Sequence, residues 1–140
     1  MKHEVSAGGI VYRQDKNTRL WLVVQHAARG HWGFPKGIVG DTLLHETFEE
    51  AAVREVLEEG GIRAQIKAKI ITPSHYTYLW RGEKVQKTVW YFVMEYISGS
   101  VEDHDIEVKQ AQFIDEARVS SQLSYSNDRD IFHHALASLA

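Results

Sequence analysis

Arg54-Glu55-Val56-Leu57-Glu58-Glu59-Gly60-Gly61-Ile62 is the stretch that decides how this chain reads. Upstream, Thr47 and Glu50 form a Thr-x-x-Glu capping box, and Gly60-Gly61 closes the segment, so a helix runs between them. On that helix Glu55, Glu58 and Glu59 stand at i, i+3 and i+4, and their carboxylates share one face. Phe48, Ala51 and Ala52 are read onto the same side, while Val53, Val56 and Leu57 lie largely opposite and are expected to pack inward. The acids break local rules. Glu58 and Glu59 fall in the last turn, where the helix dipole disfavours anions. Each close like-charge pair costs roughly 0.2–0.5 kcal/mol. Only Glu58 has a basic residue four positions away, Arg54, and in the less favourable order. A solvated acidic face explains this poorly, because accumulated local penalties mark functional sites. Clustered carboxylate oxygens suit hard divalent cations such as Mg²⁺, which neutralise phosphate chains and acidify bound water. The local chemistry points to metal-dependent phosphoryl transfer.

Outward from this helix, strands dominate. Val5–Arg13 and Leu20–His26 read as a β-hairpin, and the glycine-rich Gly30–Gly40, with Pro35, as an irregular loop. Ile66–Trp80 is strand-like but interrupted at Pro73, and Arg81-Gly82-Glu83 is a turn. From Val89 to Met94 both faces of the next strand are apolar, which marks burial on both sides. Val108–Ile114 is a further short strand. Asp128–Leu139 is a terminal helix with Ile131, Phe132, Ala135, Leu136 and Leu139 on its apolar side. This order predicts an α/β protein, a mixed β-sheet between helices. At 140 residues and 44% hydrophobic content, the expectation is one domain over 1–140. Sixteen basic against nineteen acidic residues leave a net charge of −3, which weighs against nucleic acid as partner. The chain has no cysteine, which excludes disulfides, thiolate metal sites and cysteine nucleophiles. Met1–Ile10 lacks the long apolar run of a signal peptide, and no stretch approaches the roughly 20 apolar residues that span a bilayer. The expectation is a cytoplasmic protein that does not enter a membrane.

With the acidic helix in place, the sequence resembles the Nudix hydrolase family. The family signature is Gly, five residues, Glu, seven residues, Arg-Glu-aliphatic-any-Glu-Glu-any-Gly-aliphatic. Gly40, Glu46, Arg54, Glu55, Val56, Glu58, Glu59, Gly61 and Ile62 satisfy it. In many relatives the first glycine ends Phe-Pro-Lys-Gly, here Phe34-Pro35-Lys36-Gly37, which puts eight residues before Glu46. Either glycine can fill the role, and the surrounding Trp32–Gly37 favours Gly37. The resemblance implies an α/β/α sandwich. It implies Mg²⁺ or Mn²⁺ held by Glu55, Glu58, Glu59 and a backbone carbonyl, that of Lys36 if Gly37 leads and Val39 if Gly40 does. Glu107 matches a further glutamate that many members supply from another loop. Arg54 matches a residue that orients a ligand glutamate, and Glu46 a supporting position. The general base is either Glu55 or Glu107.

Over most of the chain the resemblance is closest to bacterial-type diadenosine tetraphosphate hydrolases. It rests on Ser6-Ala7-Gly8-Gly9, His75-Tyr76-Thr77-Tyr78, Lys87-Thr88-Val89, Leu123-Ser124-Tyr125 and Asp128-Arg129. Tyr78 falls sixteen residues past Ile62, where ADP-ribose pyrophosphatases carry a proline. This implies asymmetric cleavage to ATP and AMP. Alternatives are an RNA 5′ end, a damaged nucleoside triphosphate, ADP-ribose, or a nucleotide-sensing module without turnover. Tyr76, Tyr78 and Trp80 alternate onto one strand face, to pack the core or to stack adenine. Lys36 and Lys87 are candidate phosphate contacts, and His31 and Trp32 candidate cleft residues. The remaining histidines read as surface residues.

Overall fold

The computed structural model describes residues 1–40 and 45–140. Its centre is a pair of long parallel strands, β1 (Lys2–Asp15) and β7 (Glu83–Gly99), in register from Lys2↔Val85 to Tyr12↔Glu95. β1 turns through Lys16 and Asn17 into β2 (Thr18–His26), the expected hairpin. Seventeen residues give β7 the length to pair two strands along its other edge: β6 (Ser74–Trp80) on its first half and β5 (Ile62–Lys69) on its second. Pro73 falls between them, as a residue without a ladder donor should. β8 (Val108–Asp115) pairs antiparallel with β2, so the sheet is mixed.

The glycine-rich loop is more ordered than its composition suggests. β3 (Trp32–Gly33) pairs with β2, and β4 (Lys36–Ile38) pairs with β1 through Ser6↔Ile38, Ala7↔Gly37 and Gly8↔Lys36. The pairing supplies backbone partners that sequence pattern alone does not reveal.

Alternation along the strands feeds two cores. On one face Ile10, Trp21, Val23, Tyr91 and Val93 pack against Ile131, Phe132 and Ala135 of the C-terminal helix α3 (Ser126–Ser138); Leu123, which ends the short helix α2 (Val119–Gln122), joins them. On the other, Val11, Leu22, Val24, Phe92 and Met94 pack against Ala51, Ala52 and Val56 of α1 (Phe48–Gly60). This is the expected α/β sandwich with helices on both faces. Val89–Met94 is buried on both sides apart from Trp90, which is half-buried and stacks on Phe48.

α1 starts and stops where the sequence places it. Thr47 Oγ1 accepts from the Glu50 N–H at 3.1 Å, and the Glu50 carboxylate accepts from the Thr47 N–H at 2.9 Å. Gly61, at φ 74°, caps the other end through its N–H to the Leu57 carbonyl. The inward face differs from expectation. Val53 and Leu57 point out, 36% and 38% exposed, whereas Glu55 and Glu59 are buried at 5% and 4%. Beside the inward Ala51, Ala52 and Val56, glutamates replace aliphatics, because the strands beneath carry the site rather than core.

Candidate active site

Glu55 and Glu59 of α1 line a cleft of about 1110 Å³ whose lining also includes Glu107, Lys36, Lys87, Tyr76 and Tyr78. β4 brings Lys36 and Gly37 beneath the helix. A Cβ at Gly37 would stand 2.2 Å from the Glu55 carboxyl carbon, so only glycine lets the strand lie against that acid. The Lys36 N–H donates to Glu59 Oε1 at 3.1 Å. Gly40 acts differently, since at φ 80° its N–H donates to Glu46 Oε1 at 2.9 Å. The two glycines of the signature region therefore serve two acids, Gly37 by close approach and Gly40 by hydrogen bond.

Arg54 is the hub behind the cleft. Its guanidinium grips Glu46 in a fork, Nη2 to Oε1 at 2.7 Å and Nε to Oε2 at 3.0 Å, and reaches Glu55 Oε1 at 2.7 Å and Glu58 Oε2 at 3.2 Å. The Arg54 bond holds the Glu46 carboxyl below the usual range, against the effect of burial. Burial pushes Glu55 up to about 7, with Arg54 opposing, and Glu59 up to about 8, with the Lys36 N–H opposing. Two desolvated carboxylates side by side are poised for a cation. Among the described residues, however, no three acidic or histidine side chains already converge as a metal cage. Glu58 is engaged by Arg54 and stands apart from the cleft lining.

Lys36 and the tyrosines of the lining are also engaged. Lys36 Nζ donates to Tyr76 Oη at 2.9 Å and sits 4.7 Å from the Tyr76 ring centroid, so an ammonium already holds that tyrosine. Burial lowers the Lys36 ammonium despite Asp128 and Glu59 nearby, and raises the Tyr76 phenol. Tyr78 donates to Glu4, and Trp80 at the strand end is 56% exposed, so the three-ring stripe is neither all core nor one stacking platform. Trp32 is not a cleft residue. It packs against the α3-side core, and its backbone is tied to Ser124, whose Oγ accepts from its N–H at 2.8 Å. Its alternate strand position turns the side chain from the cleft that neighbouring His31 lines.

Three lining residues were not read from the sequence as site residues, although Tyr125 and Asp128 stood among those that carry the resemblance. His26 is no surface histidine: burial and the neighbouring His31 lower it to about 3, its ring stacks on His31 at 4.6 Å, and Nδ1 lies 4.0 Å from Glu59. The clue was its place in the period-2 row Leu22, Val24, His26. Asp128, 7% exposed, stands in the buried row with Ile131, Phe132 and Ala135, where a charge is out of pattern. Tyr125 lies 5.2 Å from His31, ring to ring.

A family model described as NUDIX domain matches residues 2–135. The chain belongs to the Nudix family. Nudix hydrolases use divalent metals such as Mg²⁺ or Mn²⁺. A Mycobacterium tuberculosis protein described as mutator protein MutT4 is 34% identical over 133 residues, 91% of this chain and 52% of that protein. A Streptomyces ambofaciens MutT-like protein is 42% identical over 64 residues, 46% of this chain and 38% of that one. The chain thus spans about half, or less, of the length of these curated relatives. Among solved Nudix folds, a C. elegans Ap4A hydrolase in a binary complex superposes with TM-score 0.73 at 20% identity, covering 97% of each chain. The NUDIX domain of Shewanella oneidensis NrtR, complexed with ADP ribose, superposes with TM-score 0.77 at 14% identity, covering 100% of this chain and 90% of that one. At these identities the likeness is one of fold. No helix among the described residues is long and apolar enough to cross a membrane.

Proposed function

We propose that residues 1–140 act as one domain that hydrolyses nucleoside polyphosphates, with diadenosine tetraphosphate cleaved asymmetrically to ATP and AMP. The observation that carries this is one cleft lined by three acids, Glu55, Glu59 and Glu107, together with two lysines and two tyrosines. The buried carboxyl oxygens of Glu55 and Glu59, with the exposed Glu107 in the same cleft, fit a hard divalent metal. Glu55, Glu59 and Glu107, with the Lys36 carbonyl, would hold it from the cleft, and Glu58 would join them on leaving Arg54. When bound, such a metal neutralises phosphate charge and lowers the pKa of water.

The chain's own residues do the rest. Lys36 and Lys87 bind phosphate oxygens, with the Lys36 ammonium aimed by Tyr76 Oη. Arg54 holds Glu55 in place from behind. Glu55 or Glu107 takes the proton of the attacking water. The water oxygen joins phosphorus, one P–O–P linkage breaks, and the leaving phosphate keeps the bonding pair. The net charge of −3 argues against an RNA end as substrate.

The test is product analysis with Mg²⁺ over diadenosine tetraphosphate, ADP-ribose, nucleoside triphosphates and triphosphorylated RNA. Equimolar ATP and AMP, formed fastest from diadenosine tetraphosphate, is the expected result. Faster cleavage of another member overturns the substrate, and binding without turnover of any member makes the protein a nucleotide sensor.

A further inference from the structure

Tyr78 is a half-buried ring in the lining of the cleft, on β6, which pairs with β7 alone among the described strands. Its hydroxyl donates to the carboxylate of Glu4, 74 residues away on β1. The strand registers explain the meeting. Tyr76 stands opposite Lys87 across β6 and β7, and Lys87 opposite Glu4 across β7 and β1, so these three share one row of the sheet. Tyr78 belongs to the next row, with Val85 and Lys2, and reaches Glu4 diagonally. The bond pushes the Tyr78 phenol up to about 12. Among the described residues no ion pair joins Glu4 to Lys87, so the carboxylate is engaged by the tyrosine and the lysine is left to the cleft. The two neighbouring rings, 6.3 Å apart between centroids, are thus held by opposite charges: Tyr76 by the Lys36 ammonium and Tyr78 by the Glu4 carboxylate. Glu4 itself is outside the cleft lining, so what it does for a ligand it does through Tyr78.

We propose that Glu4 is a positioning residue that holds the Tyr78 ring as a ready-made wall for the nucleoside of the substrate. The proposal rests on the nucleotide reading above and adds what fixes one side of the nucleoside site. A ring already tied at its hydroxyl loses less freedom when a base or sugar packs on it, which strengthens binding by roughly three- to tenfold. The gain is blind to the base, because every base has a π-face to offer. Inorganic polyphosphate, which has no nucleoside, gains nothing from it.

The test is metal-free calorimetric titration with diadenosine tetraphosphate and with tripolyphosphate, read as the ratio of the two affinities, after melting curves establish folding. Glu4→Gln and Glu4→Ala remove the same charge, but only glutamine keeps a carbonyl that accepts from Tyr78. Glu4→Gln is expected to hold the ratio within about twofold of wild type, and Glu4→Ala to lower it roughly three- to tenfold. When Tyr78→Phe is added to each, the two Glu4 variants should have equal ratios. Should Glu4→Ala fail to fold, Tyr78→Phe alone decides, since it removes only the donor and should lower the ratio by the same factor. Equal ratios in Glu4→Gln and Glu4→Ala overturn the proposal. So does an advantage of glutamine that survives Tyr78→Phe, which puts the effect of Glu4 outside the tyrosine. An equal loss of both ligands in Glu4→Ala makes Glu4 a structural residue and overturns it too. Wild type that binds diadenosine tetraphosphate no tighter than tripolyphosphate sinks the nucleotide reading and this proposal with it, whereas a nucleotide preference untouched in Glu4→Ala sinks this proposal alone.

Discussion

Replacing Arg54 by methionine keeps the aliphatic stem and removes the guanidinium that three acids share. Its Glu46 partner is 1% exposed at the side chain, Glu55 is 7% exposed and Arg54 itself 12%. The network is therefore a buried one, and removing one partner leaves charges that water does not reach, at a cost of about 3–5 kcal/mol. The third partner, Glu58, is 38% exposed and adds little. For a chain of this length, about 4 °C of melting temperature is lost per kcal/mol, so Arg54→Met should melt roughly 12–20 °C below wild type. Urea denaturation at neutral pH, with metal chelated, reads the free energy directly. A double variant, Arg54→Met with Glu46→Gln, should recover part of the loss, a coupling of about 1–3 kcal/mol. Acid supplies a second check. Arg54 depresses the Glu46 carboxyl below its ordinary value of 4.5 in the fold. A group depressed in the folded state stabilises above its unfolded pKa and loses that contribution as pH falls through the folded value. The gap between wild type and Arg54→Met should thus narrow as pH drops below about 4.5. A cost under about 1 kcal/mol, the worth of an exposed ion pair, would refute the picture of Arg54 as a buried hub.

Glu59→Gln should lower kcat by about 100-fold or more with the fold retained. In chelator it should melt no lower than wild type, since glutamine still accepts from the Lys36 N–H and buries no charge. Saturating Mg²⁺ should reverse that order by adding about 2.7 kcal/mol to wild type at a hundred times its Kd. Near-normal Mg²⁺-dependent turnover by the variant would remove Glu59 from the metal site. Gly37→Ala, whose Cβ meets the Glu55 carboxyl carbon at 2.2 Å, should abolish turnover, while Gly40→Ala should chiefly destabilise through its positive φ. Equal kcat in the two alanine variants would contradict the separate roles of these glycines. Tyr76→Phe, which strips only the hydroxyl that holds Lys36, should raise KM with little change in kcat or melting temperature, and an unchanged KM would mean that Lys36 needs no such support.

Much of the molecule was legible before its structure. The capping box, the αL glycine, the hairpin, the break at Pro73 and the doubly apolar Val89–Met94 strand are set by interactions between residues near in sequence, or by the number of faces a strand buries. The spacing of Glu55, Glu58 and Glu59 likewise predicted that these side chains share a face, because helical periodicity fixes the angles among them, whereas Arg54 and Glu46, which lies ahead of the helix, were tied to them by the family signature.

Periodicity does not fix how the helix is rolled against the sheet. Hydrophobic pattern alone turns Val53 and Leu57 inward, yet they stand outside while Glu55 and Glu59 are buried. That roll depends on β4, which presents a bare glycine to Glu55 and a free N–H to Glu59, and on small alanines that let the helix settle there. Only pairing between β4 and β1 puts those groups beneath the helix, and such pairing is non-local. The same reason hid the place of His26 and Asp128, some hundred residues apart and both lining the cleft, and it turned Trp32 out of the site that its neighbours line. Sequence specified which chemical groups the chain carries and their local phase; packing between distant segments decided which of them lose water together, and that loss is what tunes the acids for their chemistry.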